Sequence, residues 1–228
     1  MSLDQVRAIA DAVLYEGYLL YPYRASSSKN QSRWQFGVLG PPQAAPSSFA
    51  ESPEMSMQCL LAPGSCQEPD VTLRVRFLQV QDRDLEQRLD STQSEPTSGI
   101  WSPVGELVVD GRSLLSWQEA TECELPLPAY ALAEIFEGAR GPLVETVLEV
   151  SGACEVEPVL DDGGTPVGRI VRRRSPLVAR VQVRAEPVDG LARLSVTIMN
   201  DHPDLATTKD DALRLSLISA HVVLIAEG

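Results

Sequence analysis

From Val71 the chain alternates strictly. Val71, Leu73, Val75 and Phe77 are apolar while Thr72, Arg74 and Arg76 between them are polar. A two-residue period of this kind predicts a strand with one buried and one wet face. The period returns where Ala179, Val181 and Val183 alternate with Arg180, Gln182 and Arg184, and again where Leu194, Val196 and Ile198 alternate with Arg193, Ser195 and Thr197. "PVDG" (187–190) separates these two runs as a turn, so an antiparallel meander with one wet face is predicted. Strand-like runs at Leu143–Pro158 and Val167–Ala185 flank a turn at Asp161–Gly164, the second interrupted at Pro176. Across that hairpin, outward Glu145 and Glu149 are expected opposite outward Arg180 and Arg184, each pair worth only ~0.2–1 kcal/mol. "ELVVDGRSLLSW" carries an Asp-Gly hairpin signal at Asp110–Gly111. Shorter strands are predicted at Trp34–Leu39, Met57–Ala62 and Val222–Ala226.

Helical spacing is confined to short pieces. Val6, Ile9, Ala10, Val13 and Leu14 recur every three or four residues and predict an amphipathic helix over residues 3–16. "ALAEIFEGA" predicts a second, brief helix. Thr208 is an N-cap candidate for a third from Lys209 onward, with Asp210 and Asp211 in its first turn. The polar run Ala25–Ser32 reads as a loop and "GPPQAAPSS" as a break. Residues 81–100, "QDRDLEQRLDSTQSEPTSGI", lack either period and are expected to form a mobile loop with a short helical piece. The sum is a mainly β protein, an antiparallel β-sandwich with short peripheral α-helices, in a single domain over residues 1–228.

Charge narrows the functions open to such a fold. The 228 residues carry a net charge of -13 at pH 7, which disfavours general binding to nucleic acid or to an anionic membrane. No apolar run approaches the ~20 residues of a membrane-spanning helix, and no signal-peptide block opens the chain, so the cytoplasm is the default compartment. Neither GxxxxGK[ST] nor GxGxxG nor GxSxG occurs, and no cofactor is expected. Cys59, Cys66, Cys123 and Cys154 form no CxxC pair, and "CLLAPGSC" spaces its thiols too widely for the usual zinc knuckle. His202 in "MNDHPD" lies beside Asp201 and Asp204, which offers either a metal or acid–base group, or simply a strand-ending turn. His221 sits among apolar neighbours, as a partly buried histidine would. "RIVRRRS" holds Arg169, Arg172, Arg173 and Arg174, a basic run expected either to pair with the acidic arm Glu145–Glu157 or to bind an acidic partner.

One segment departs from this picture. Half of the chain's Tyr, Trp and Phe lie between Tyr15 and Phe36, and no Asp or Glu occurs from Gly17 to Ala50. The rings either pack the first helix onto the sheet or stand exposed beside Arg24, Lys29 and Arg33. Tyr, Trp and Arg are the residues enriched where proteins grip one another, because they join large contact area to hydrogen bonding. The candidate partner-binding residues are therefore Tyr21, Tyr23, Arg24, Lys29, Asn30, Arg33 and Trp34.

"VLYEGYLLYPYRASSSKNQSRWQFGVL" (13–39) closely resembles a signature near the start of uncharacterised actinobacterial proteins encoded beside uptake nickel–iron hydrogenases. "LRLSLISAHVVLIAEG" (213–228) is similar to the middle of those proteins, so the resemblance implies that this chain is the N-terminal part of a longer architecture. It implies a link to hydrogenase assembly or function and no defined reaction. The expectation is a non-catalytic accessory or assembly protein that binds a protein partner, a hydrogenase subunit or maturation factor. The alternative is a small-molecule or metal-dependent enzyme built on the His202, Asp201 and Asp204 loop.

Overall fold

The structure, a computed structural model, describes residues 3–16, 37–44, 46–63, 70–89 and 99–227. It is mainly β, with antiparallel sheets and short helices, as expected. The strands are β1 (Glu54–Leu61), β2 (Asp70–Arg88), β3 (Trp101–Val104), β4 (Glu106–Val109), β5 (Arg112–Leu115), β6 (Trp117–Pro126), β7 (Tyr130–Ala131), β8 (Val144–Val150), β9 (Ala153–Leu160), β10 (Pro166–Arg174), β11 (Leu177–Val188), β12 (Leu191–Asn200) and β13 (Ile218–Glu227). The helices are α1 (Leu3–Glu16), α2 (Ala133–Phe136) and α3 (Lys209–Arg214). No described helix is long and apolar enough to cross a membrane.

The chain gathers into two compact units. The first comprises Met1–Gln79, Glu122–Val150 and Leu177–Gly228, and the second Val80–Thr121 and Ser151–Pro176.

The first unit is a sandwich. One sheet runs β1-β12-β11-β8, and the other joins β13 and β7 to the opening half of β2. Every apolar position picked out by the two-residue period faces the core. Val71, Leu73, Val75 and Phe77 meet Ala179, Val181, Val183, Leu194, Val196 and Ile198 in one buried cluster. Burial on this scale is the dominant stabilising term for such a sheet pair. The alternate positions form the wet face, where Ser56 bonds Thr197 and Gln58 donates to Ser195. Register corrects both expected pairings: Glu145 stands opposite Gln182, and Glu149 opposite Val178. Arg180 reaches Glu145 only diagonally at 3.6 Å.

The second unit pairs the closing half of β2 with β10 and β3, and β10 with β9. Its core is small: Leu85, Leu107, Val159 and Ile170. Asp110 and Gly111, at φ 48° and 76°, close the β4–β5 hairpin as the Asp-Gly signal predicts. Residues 81–88, expected in a mobile loop, are strand instead. Their lack of apolar alternation hid the strand, because Leu85 is the one apolar residue among them and the buried Glu86 is accommodated by charge pairing. Asp84 meets Arg173, Glu86 meets Arg169 and Arg83 meets Glu119. Residues 90–98 of that expected loop lie outside the described residues.

Thr208 caps α3 with a reciprocal box, its side chain accepting from the Asp211 N–H while Asp211 accepts from the Thr208 N–H.

Candidate functional site

Tyr21, Tyr23, Arg24, Lys29, Asn30, Arg33 and Trp34 lie outside the described residues. The flanks of that segment are described, and both rest on the same strand of the first unit. α1 packs against β13. On the far side Leu39 pairs with Leu217 through both backbone bonds, and the Ala220 N–H donates to the Gly37 carbonyl at 3.0 Å. Gly37 adopts φ +59°, and an added Cβ would sit 3.3 Å from the Ala220 carbonyl oxygen. Glycine answers both demands, the left-handed backbone and the close approach.

The interface beneath α1 is unusually polar. Ala10 and Leu14 are buried, yet Ile9 and Val13, counted in the apolar stripe of the sequence, stay exposed. Their place toward the sheet is taken by Asp11, which bonds Arg76 at 2.7 Å. Arg76 is 5% exposed and also approaches Glu124 at 3.3 Å and Glu122 at 3.7 Å. Arg74 holds Glu124 from the other side at 2.6 Å. Tyr15 donates its hydroxyl to Glu122. That bond to a carboxylate, with burial and the negative charge added, pushes the phenol up to about 12. Arg76 is the buried centre of this network, and a buried guanidinium is costly to free from its carboxylates. Sequence reading marked Arg74 and Arg76 as wet-face residues but missed their partners. The signal was the two-residue spacing of Glu122 and Glu124 in "TECELP", which puts both carboxylates on one face of a strand.

The "MNDHPD" segment ends β12 at Asn200 and leads on without regular structure. His202 is buried, with its N–H bonded to Asn200 and its Nδ1 accepting from the Asp204 N–H at 3.2 Å. Asp201 is committed to Arg180 at 2.5 Å. Among the described residues no group of three His, Cys, Asp or Glu is placed to hold a metal ion. His221 is half-buried and donates from Nδ1 to the Ser219 carbonyl at 2.8 Å, a bond that assigns the proton to that nitrogen.

The arginine run pairs as expected, though with more partners than the acidic arm alone provides. Arg174 takes Glu155, Arg172 takes Glu157 and Glu119, Arg173 takes Asp84, and Arg169 takes Glu86. Burial pushes the Glu119 carboxyl up, but hydrogen bonds from Trp117 and Gln81 and the charges of Arg172 and Arg83 outweigh it and hold the group below its ordinary value. Arg169 also stacks over Trp101 at 4.6 Å. Of the cysteines, Cys59 and Cys154 are exposed free thiols and Cys123 is half-buried, while Cys66 lies outside the described residues.

Comparison with known proteins returns no match among family models, curated proteins or solved structures.

Proposed function

We propose that this chain is a non-catalytic accessory or assembly protein whose early aromatic and cationic segment contacts a protein partner. A nickel–iron hydrogenase subunit or maturation factor is the candidate that the resemblance supplies. One observation carries the proposal: the charge balance differs sharply between this segment and the described strands. The arginine run of β10 is neutralised by carboxylates of its own unit. Gly17 to Ala50 contains Arg24, Lys29 and Arg33 and not one acidic residue. Cations with no acidic residue near them in sequence, among tyrosines and a tryptophan, have the composition of a protein-contact hot spot.

The test is co-purification from a host that makes the hydrogenase. Wild-type chain is expected to retain a hydrogenase subunit or maturation factor. Arg24→Ala/Arg33→Ala/Trp34→Ala is expected to lose it while keeping the wild-type circular dichroism spectrum. Equal recovery by both chains would count against the proposal.

A further inference from the structure

The open edge of the four-stranded sheet is the feature with the most unused capacity. Among the described residues β1 ends that sheet, and it pairs with β12 over eight residues without a shift, from Glu54 opposite Met199 to Leu61 opposite Ala192. The Asn200 N–H donates to the Pro53 carbonyl at 2.8 Å, which sets the phase of the ladder. Residues 55, 57, 59 and 61 exchange bonds with β12, so Glu54, Ser56, Gln58 and Leu60 turn their N–H and C=O groups to the open side. At Glu54 both groups are already taken by the Ser52 hydroxyl. Among the described residues no strand takes up the outward groups of Ser56, Gln58 and Leu60, a stretch symmetric about Gln58.

Edges of sheets are ordinarily guarded by charge, proline or a bulge. The opposite edge, β8, carries Glu145 and Glu149. β1 has none of these from Met55 to Leu61, and Leu60 on its outward face is 57% exposed. We infer that β1 is a self-association edge: two copies pair through antiparallel β1 strands about a two-fold axis at Gln58, joining two four-stranded sheets into one.

A second copy is the occupant that fits without adjustment. With the axis at Gln58, Ser56 falls opposite Leu60 of the second copy and Gln58 opposite itself. All three are residues whose backbone groups point outward, so the pairing makes about six backbone hydrogen bonds. The faces agree as well. Met57 meets Cys59 of the second copy and Met55 meets its Leu61, extending the row in which Met55, Met57 and Leu61 already pack on the core. Glu54, the one charge of the strand, is carried past the second copy's Leu61 and meets no like charge. A shift of one residue would break both the hydrogen-bond phase and the face alternation. Two chains of net charge -13 repel one another, so a neutral seam is where they can meet. Added salt, by screening that repulsion, strengthens the contact.

Sedimentation equilibrium on the full chain tests this. Wild type is expected to pass from 24.8 kDa toward twice that mass as concentration rises, and to do so at lower protein concentration in high salt. Gln58→Lys sets two ammonium groups on the axis and is expected to move association to several-fold higher concentration, with an unchanged circular dichroism spectrum. Met57→Cys is expected to yield a disulfide-linked dimer on mild oxidation that disappears in Met57→Cys/Cys59→Ser. A wild-type chain that stays monomeric at high salt overturns the inference, as does a Gln58→Lys chain that associates like wild type.

Discussion

Replacing Arg76 with methionine probes the polar mount under α1. The substitution keeps the length and apolar stem of the side chain and removes only the guanidinium. Breaking a buried ion pair costs ~3–5 kcal/mol when the group left behind stays buried. Here the abandoned carboxylates are not fully enclosed, since the side chains of Asp11 and Glu122 are 53% and 49% exposed and that of Glu124 is 29% exposed. Two of the three can rehydrate and Glu124 keeps Arg74 at 2.6 Å, so the expected loss falls to about 1–2 kcal/mol, most of it from mutual repulsion among the three carboxylates. Asp11→Asn removes one exposed partner and leaves Arg76 two others, so its cost is expected near 0.5 kcal/mol. Urea unfolding followed by circular dichroism measures both. Equal stability of Arg76→Met and wild type would refute the reasoning, and so would an Asp11→Asn cost as large as that of Arg76→Met, because the network would then not be centred on the guanidinium.

Two further outcomes follow from particular groups. Gly37→Ala imposes a Cβ on a left-handed backbone at 3.3 Å from the Ala220 oxygen, and is expected to lower stability by ~1–2 kcal/mol, measured by urea unfolding; an unchanged midpoint would show that the anchor yields freely. Glu119, whose folded pKa is depressed, contributes stability above its ordinary value of 4.5 and loses it as pH falls through the lower folded value. Glu119→Gln is therefore expected to be less stable at pH 7 but flatter in its acid limb below about pH 4.5, read as urea midpoints against pH; parallel limbs would contradict the assignment.

The strands of the first unit were legible because each is half-buried, and a half-buried strand must alternate. Val181 and Arg180 or Ile198 and Thr197 differ in solvation by their place on the pleat alone, so the pattern needs no knowledge of the partner strand. The Asp110–Gly111 turn and the Thr208–Asp211 box were legible for a similar reason, since both rest on contacts within a few residues. The candidate site was less so. The composition of residues 17–50 marked the segment, but the anchorage of its described flank, Gly37–Leu39, depends on Leu217 and Ala220, far along the chain.

What the sequence alone determined, then, is local: which residues can face oil or water, where the backbone turns, and where an acidic chain keeps its unbalanced cations. Tertiary structure decided what depends on distant partners. It drew β2 onward through the charged residues 81–88, because Arg169 and Arg173 supply counter-charges from another strand. It turned Ile9 and Val13 outward because Arg76 on the sheet selects Asp11 for the inner face of α1. It divided the run Leu143–Pro158 at Gly152, where a Cβ would stand 2.9 Å from the Arg174 carbonyl oxygen. Each outcome turns on a charge or contact many residues away, and no local period can encode a partner that only folding brings near.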